Sequence, residues 1–198
     1  AWGLVGIIEK YPAVGVIACS VQDGALLAKT LPNRVTVIPQ HHCNFERLPR
    51  TREGVTRVGV IGALPAFDFL PEGLAAALAE RGIELELFSK FFTRQDIVDF
   101  YQRIDVQIVW RPYRMRLSNP LKLVNAAAFG VPTIALVEGV FDEVLGCFMA
   151  VKKPADLLRC LDDFRQRPQV YDSMSINCLL AAEAYHIDAV CEMYRRLT

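Results

Sequence analysis

The chain has 198 residues, of which 53% are hydrophobic and 22% charged, and its 22 Lys+Arg balance 22 Asp+Glu to a formal net charge of +0. This composition excludes a disordered tail and supplies enough apolar surface for one large domain, or one domain and part of another. The charge balance argues against a dedicated nucleic-acid binder, which carries a basic excess, but leaves room for a local basic patch.

Short β-rich apolar runs alternate with helical patterns. Val14–Cys19 reads as a buried strand. Ser20 then caps a helix to about Leu31, its hydroxyl accepting an orphan backbone N–H. Arg34–Ile38 is a second strand, ended by Pro39, and His41 to Gly54 is a polar, turn-rich linker. A new alternation follows: strand Arg57–Ile61, a Gly62 turn, a helix over Glu72–Arg81 stopped by Gly82, and strand Ile83–Phe88. Thr93 and Asp96 form a capping pair for a helix to about Arg103, with Ile97, Phe100, Tyr101 and Ile104 on its inner face. Strand Asp105–Trp110, a helix over Pro120–Phe129 stopped by Gly130, strand Val131–Val137, a short helix Phe141–Leu145 and strand Cys147–Val151 come next. Two or three helices from Pro154 to Leu197 close the chain. Five strands with helical crossovers between Arg57 and Val151 predict an α/β fold, a doubly wound parallel sheet with helices on both faces.

No run reaches the ~18 uninterrupted apolar residues that cross a bilayer. The longest, Leu123 to Phe141, is interrupted by Asn125, Gly130, Pro132, Thr133, Glu138 and Gly139. The start lacks the basic-then-apolar layout of a secretory signal. Cys19, Cys43, Cys147, Cys160, Cys178 and Cys191 form no CxxC pair, and most sit in apolar stretches. They are expected to be reduced and buried, which places the protein in the cytoplasm. The chain opens at Ala1 rather than Met, which reads as a fragment or a processed product.

In an open parallel sheet ligands bind beyond the carboxyl ends of the strands, near the switch in strand order. Gly62 follows the strand at 57–61; it serves either close approach of a ligand or a plain tight turn. After the strand at 105–110 come Arg111, Arg114, Arg116 and Lys122, four cations in twelve residues ahead of a helix N-terminus. Arginine forks match phosphate geometry, so the cluster points to an anion such as a nucleotide diphosphate, or else to a solvated loop paired with surface acids. Glu138, Asp142 and Glu143 follow the strand at 131–137 and read as helix capping. His41 and His42 match no standard metal spacing and read as linker polarity, and His186 reads as structural. GxGxxG, GxxxxGK[ST] and GxSxG are all absent, which argues against a nicotinamide oxidoreductase, a P-loop enzyme and a serine hydrolase.

The stretch Pro120-Leu-Lys122-Leu-Val-Asn125-Ala-Ala-Ala-Phe-Gly130-Val-Pro132-Thr-Ile-Ala135 resembles the pattern P-x-K-x-x-E-x-x-A-x-G-x-P-x-[IV]-[AS] of GT-B fold glycosyltransferases, the group 1-like, nucleotide-sugar-dependent kind. Val37-Ile38-Pro39, Asp96 to Ile108, Glu138-Gly139 with Glu143, and Tyr185 to Leu197 resemble further family segments in the same order. The resemblance implies the carboxyl-terminal, nucleotide-sugar-binding half of such an enzyme. Residues 1–42 would be the tail of an amino-terminal Rossmann-like domain plus linker, and residues 43–198 the donor-binding domain. The missing half would hold the acceptor site, and through it a peripheral membrane association. The implied partners are a nucleoside-diphosphate sugar and a glycan, lipid or small-molecule acceptor, with no nucleic acid, no metal and no further cofactor.

The resemblance implies that Gly62 and Ala63 approach the diphosphate or sugar, and that Arg111, Arg114, Arg116 and Lys122 neutralise phosphates. Trp110 and Tyr113 would stack on the base, Ser118 and Asn119 would line the same loop, and Glu138 and Gly139 would lie near the sugar. No catalytic base is identified within the chain. The sequence departs from the family at four places. Asn125 stands where a glutamate holds the donor ribose, Leu117 where many members carry another glutamate, and Gln40 where an Asn follows the linker strand. Gly62 is followed by apolar and acidic residues rather than an Arg and a Lys. These departures motivate a second reading, a non-catalytic nucleotide-, glycan- or partner-binding module of the same fold.

Overall fold

A computed structural model describes all residues except Ala1, Pro49, Thr51, Arg114, Arg116 and Thr198, and all described side chains except that of Trp2. Two parallel sheets organise the chain. The first holds β1 (Val16–Ala18) and β2 (Val35–Val37), joined by helix α2 (Val21–Thr30), with α1 (Val5–Ile8) ahead of them. Ser20 caps α2 as its sequence predicts, its Oγ accepting the Asp23 N–H at 3.0 Å.

The second sheet has five strands: β3 (Arg57–Ile61), β4 (Glu84–Phe88), β5 (Val106–Val109), β6 (Thr133–Leu136) and β7 (Phe148–Val151). All neighbours are parallel and the spatial order is β4-β3-β5-β6-β7. The chain therefore moves outward from β3 to β4, then returns to the other side of β3 for β5. The switch in strand order lies between β3 and β5.

Local chemistry sets the element ends. Thr93 and Asp96 form a complete capping box for α4 (Arg94–Arg103), because the short Asp reaches back to the Thr93 N–H at 2.8 Å. Helix α5 (Leu121–Ala127) starts after Pro120, and Gly130 at φ +60° breaks the chain away from it. Helix α3 (Leu74–Ala79) is shorter than the predicted 72–81, since Gly73 at φ +72° begins it late. The predicted helix after Phe141 is a 3-10 turn, Gly139–Val144, and a second 3-10 turn, Leu64–Phe69, fills the Gly62 loop.

Helices cover both faces of the large sheet, as parallel strands require. Phe100, Tyr101 and Ile104 of α4 and its end, with Leu123 and Val124 of α5 and Cys178 of α7 (Pro168–Ala182), fill one side. Leu74 and Leu78 of α3, with Leu157, Leu161 and Phe164 of α6 (Pro154–Gln166), fill the other against Val58, Val106 and Ile134. Each such fully buried side chain contributes roughly 1.5–3 kcal/mol relative to exposure. Helix α8 (Ile187–Arg195) ends the chain.

Two expectations need correction. The 41–54 segment is irregular, but it is packed rather than merely polar. His42 and Asn44 are buried, the His42 N–H donates to Tyr185 O (3.0 Å), and Asn44 Nδ2 donates to Ala128 O (2.8 Å). A chain crossing between two sheets must satisfy its backbone somewhere: Tyr185 O takes the His42 N–H, Asn125 Oδ1 the Cys43 N–H (2.8 Å) and Asn44 Oδ1 the Leu48 N–H (2.8 Å). All six cysteines are free, yet only Cys43, Cys147 and Cys178 are buried, while Cys191 is exposed on α8 because it falls off that helix's apolar face.

Candidate functional site: a cavity at the strand-order switch

The loops after β3, β5 and β6 enclose a cavity of about 250 Å³ at the switch between β3 and β5. Its walls are mostly apolar: Ile61, Ala66 and Phe69 on the β3 side, Trp110, Tyr113, Met115 and Leu117 on the β5 side, and Phe141 beyond β6. Phe69 and Tyr113 meet edge to face with ring centroids 5.2 Å apart, giving the mouth an aromatic rim. The polar groups are few: Arg111, Ser118, Asn119, Lys122 and Glu138. A concave apolar site with a few convergent polar groups suits a small organic anion.

Among the described cations of the cavity, Lys122 is the one without an ion pair. Among the described residues its ammonium makes no ion pair, and it donates one hydrogen bond to Ile61 O at 2.8 Å. An ammonium has three N–H donors, so two remain for a ligand. Solvent reaches Lys122 through the open mouth, yet protein surrounds it. Burial lowers its pKa first, and the nearby Arg111 charge second, against the opposing pull of Glu138. An incoming anion relieves that penalty. The backbone of Lys122 is fixed from beneath by a buried network. Gln107 Nε2 of β5 donates to Lys122 O (3.1 Å) and to Thr133 Oγ1 (3.0 Å), and Tyr101 OH donates to Gln107 Oε1 (2.8 Å).

Arg111 differs. It forms a two-pronged pair with Glu138, with Nε to Oε1 at 2.8 Å and a short contact from Nη2 to Oε2. Nη2 also donates to Ser118 Oγ (2.9 Å), Nη1 to Met115 Sδ, and the guanidinium lies 5.9 Å from the Tyr113 ring centre. Its charge is thus already neutralised, contrary to the expectation of a free phosphate ligand. Its partner lies 27 residues away on the next strand's loop, which a count of cations along the chain cannot reveal. Arg114 and Arg116 lie outside the described residues.

The remaining predicted residues divide. Trp110, Tyr113, Ser118 and Asn119 line the cavity. Asn119 Oδ1 also accepts the Leu121 N–H (3.1 Å), so one donor at the start of α5 is already used internally. Gly62 sits beneath the floor, where a Cβ would stand 3.1 Å from Ala66 Cβ and 3.5 Å from Lys122 Nζ; a side chain there would crowd the ammonium. Ala63 is exposed at the start of the 64–69 turn, and Gly139 faces Gln22 of α2. Asn125 is turned away from the cavity: its Oδ1 accepts the Cys43 N–H at 2.8 Å and ties α5 to the 41–54 segment. Asn125 is not among the residues that line the cavity.

Sequence reasoning missed Phe69, Met115 and Phe141, whose apolar character reads as ordinary core until the loops are folded together. It also missed Asp23, which looks like a standard acidic residue in a first helical turn but receives both of its cross-chain hydrogen bonds from Ser118 N (3.1 Å each). Burial pushes the Asp23 carboxyl above its usual pKa, and the bonds from Ser118 and Ser20 pull it partly back. Among the described residues no group of three or more His, Cys, Asp or Glu is arranged to hold a metal ion, and no helix is long and apolar enough to cross a membrane.

No family model and no curated protein sequence matches the chain. Solved structures do. The Anabaena protein HepE, determined in complex with UDP and glucose, superposes on 99% of this chain with a TM-score of 0.72 and 15% identity. A glycosyltransferase from Rickettsia africae ESF-5 covers 98% with a TM-score of 0.67 and 11% identity, and the glycosylation associate protein (Gap123) complex from Streptococcus agalactiae covers 95% with a TM-score of 0.64 and 9% identity. The chain spans 66% of HepE, 66% of the Rickettsia protein and 46% of the Gap123 chain. Its fold is the Rossmann-like fold of the GT-B glycosyltransferases, in agreement with the order of motifs along the sequence.

Proposed function

We propose that this chain is the donor-binding half of a glycosyltransferase. It would hold a nucleoside-diphosphate sugar in the cavity between β3 and β5 while an acceptor-binding half supplies a glycan, lipid or small-molecule hydroxyl. The observation that carries this reading is Lys122, a cation without an acidic partner, held by a buried network at the strand-order switch. The complexes of HepE with UDP, with UDP-glucose, and with UDP and glucose support the class of donor.

The chemistry follows from the lining. In sugar transfer the bond between the anomeric carbon and the β-phosphate oxygen breaks, the acceptor oxygen bonds to that carbon, and the acceptor proton passes to a base. Negative charge grows on the leaving diphosphate, and a preorganised cation there lowers the barrier. Lys122 takes that part. Phe69, Trp110 and Tyr113 offer rings to the base, and Glu138 and Ser118 offer acceptors and a donor to sugar hydroxyls. The Glu138 carboxylate of the cavity is held by Arg111, and this reading assigns no base among the described residues. Donor binding in this reading needs no divalent ion, so EDTA should leave the affinity unchanged, and a loss on chelation would count against it.

A thermal-shift series with UDP, GDP, ADP, CDP and TDP tests the proposal. A ligand a hundredfold above its Kd stabilises by about 2.7 kcal/mol. For a chain of this size that raises the melting temperature by roughly 5–10 °C. A shift selective for one diphosphate supports the reading and names the base; no shift with any of the five in the full-length protein overturns it.

A second reading, a module that binds nucleotide or glycan without catalysis, is favoured by the turn of Asn125 toward Cys43 and by the neutralised Arg111. Tight diphosphate binding by a full-length protein that never releases UDP from UDP-glucose, with or without added acceptors, decides for this second reading.

A further inference from the structure

The first turn of α2 touches both the loop after β5, at the cavity residue Ser118, and the loop after β6, at Gly139 and Glu143 beside the cavity residues Glu138 and Phe141. Ser118 N donates to both carboxylate oxygens of Asp23, and Ser20 Oγ donates back to Ser118 O at 3.0 Å. In the loop after β6, Gln22 N donates to Glu143 Oε1 (3.2 Å), and the Gln22 side-chain oxygen lies 3.3 Å from the place a Cβ on Gly139 would occupy. These contacts span 95 to 121 residues of sequence. They join the small β1–β2 sheet to the loops that follow β5 and β6.

The Asp23 carboxylate does more than cap its helix. The helix start is already served by Ser20 Oγ, so the carboxylate faces Ser118 instead. Both Ser20 and Asp23 are buried. Leu117, the neighbour of Ser118, packs into the cluster of Val5, Ala18, Leu27 and Leu31. Ser118 in turn accepts Arg111 Nη2 on its hydroxyl, and Arg111 holds Glu138. One buried carboxylate thus fixes a backbone amide whose side chain orients the Arg111–Glu138 fork in the cavity.

Resting on the donor reading above, we infer that Asp23 is a positioning residue for the donor cavity, so that affinity for a nucleoside diphosphate is set in part from the β1–β2 unit, across the chain from the residues that touch the ligand. Losing the clasp frees the 117–119 loop and lets Ser118, Arg111 and Glu138 drift from the geometry that meets the ligand. A displacement on the order of an ångström at such a site is enough to weaken function strongly.

The test titrates UDP, or whichever of the five diphosphates gives the largest thermal shift, into the wild type, Asp23→Ala, Asp23→Asn and Thr30→Ala by calorimetry, alongside melting temperatures and hydrogen exchange at the Ser118 amide. Thr30 lies at the far end of the same helix, with its Oγ1 on Leu26 O, and serves as the control. Asp23→Ala should weaken UDP by about tenfold, the scale of one charge-assisted hydrogen bond. Asp23→Asn keeps one acceptor oxygen and should fall between it and the wild type, while Thr30→Ala should not change. The Ser118 amide should exchange faster in the two Asp23 variants only. Should Asp23→Ala fail to fold, the Asp23→Asn titration decides alone. Wild-type affinity in both Asp23 variants overturns the inference and leaves the donor reading standing. A wild type that binds none of the five diphosphates overturns the donor reading and this inference with it.

Discussion

Each end of the five-stranded sheet carries an arginine–carboxylate pair, and the two are built for different ends. At the amino ends of the strands, Asp105 takes Arg50 Nη2 (2.7 Å), Thr56 N (2.8 Å), Thr56 Oγ1 (3.1 Å) and Arg57 N (2.8 Å). Its side chain is 6% exposed and that of Arg50 10%. The carboxylate spends all of its hydrogen-bonding capacity on the protein, so it joins strands. At the carboxyl ends, the Arg111–Glu138 pair borders an open cavity, and Lys122 beside it keeps donors unused. A buried carboxylate whose acceptors are all taken by the protein signals architecture; an ammonium with unused donors beside a cavity signals a ligand.

The largest expected effect lies at the amino end. Asp105→Ala leaves Arg50 buried without its partner and should lower the unfolding free energy by about 3–5 kcal/mol, read by urea denaturation. Diphosphate affinity of the folded fraction should be unchanged; a loss of affinity would dissolve the distinction between the two ends. Burial alone would raise the Asp105 pKa, but Arg50 and the N–H groups of Thr56 and Arg57 outweigh it and hold the carboxyl below its usual range. The pair's stabilisation is therefore present at neutral pH and is lost as pH falls through the carboxylate range.

Between the two ends, Gly59 sits where a Cβ would stand 2.6 Å from Ile104 Cγ2 and 2.7 Å from Phe100 Cζ. Gly59→Ala overpacks the central strand and should cost about 1–3 kcal/mol in the same assay. Because β3 also carries the cavity floor, diphosphate affinity should fall with it, unlike in Asp105→Ala.

A smaller effect sharpens the same lesson in the 41–54 segment. Burial lowers the His42 pKa to about 4, helped by His186, whose ring centre is 5.3 Å away. The unfolded chain takes up the proton first, so stability is complete above the ordinary histidine pKa and declines as pH falls toward 4. By pH 5 the loss should be about 2 kcal/mol. Urea melts at pH 7 and pH 5 check this; equal stabilities would mean that His42 is hydrated in solution.

Much of the fold was legible because its determinants are local. The Thr93–Asp96 box, Ser20 as cap, Gly82 and Gly130 as stops and the alternating strands each need only a few neighbouring residues to read. The lining of the candidate cavity was legible at Lys122, Trp110, Tyr113, Ser118 and Glu138, because the residues after parallel strands converge at one end of a sheet. What remained hidden depended on partners far away in sequence. Asn125 is turned to Cys43 by the packing of the 41–54 segment on α5, Arg111 meets Glu138 only after β5 and β6 pair, and the role of Asp23 appears only when the small sheet docks against Ser118.

The most direct test is a calorimetric titration of UDP, or of whichever diphosphate gives the largest thermal shift, into the wild type and Lys122→Ala. The account predicts binding to the wild type and a loss of roughly ten- to hundred-fold in the variant, the range for one charge-assisted contact of about 1.5–3 kcal/mol. It also predicts an unchanged urea midpoint, since removing an ammonium that burial already penalises should not destabilise the fold. Equal affinities in the two proteins would contradict the assignment of the cavity between β3 and β5 as the donor site.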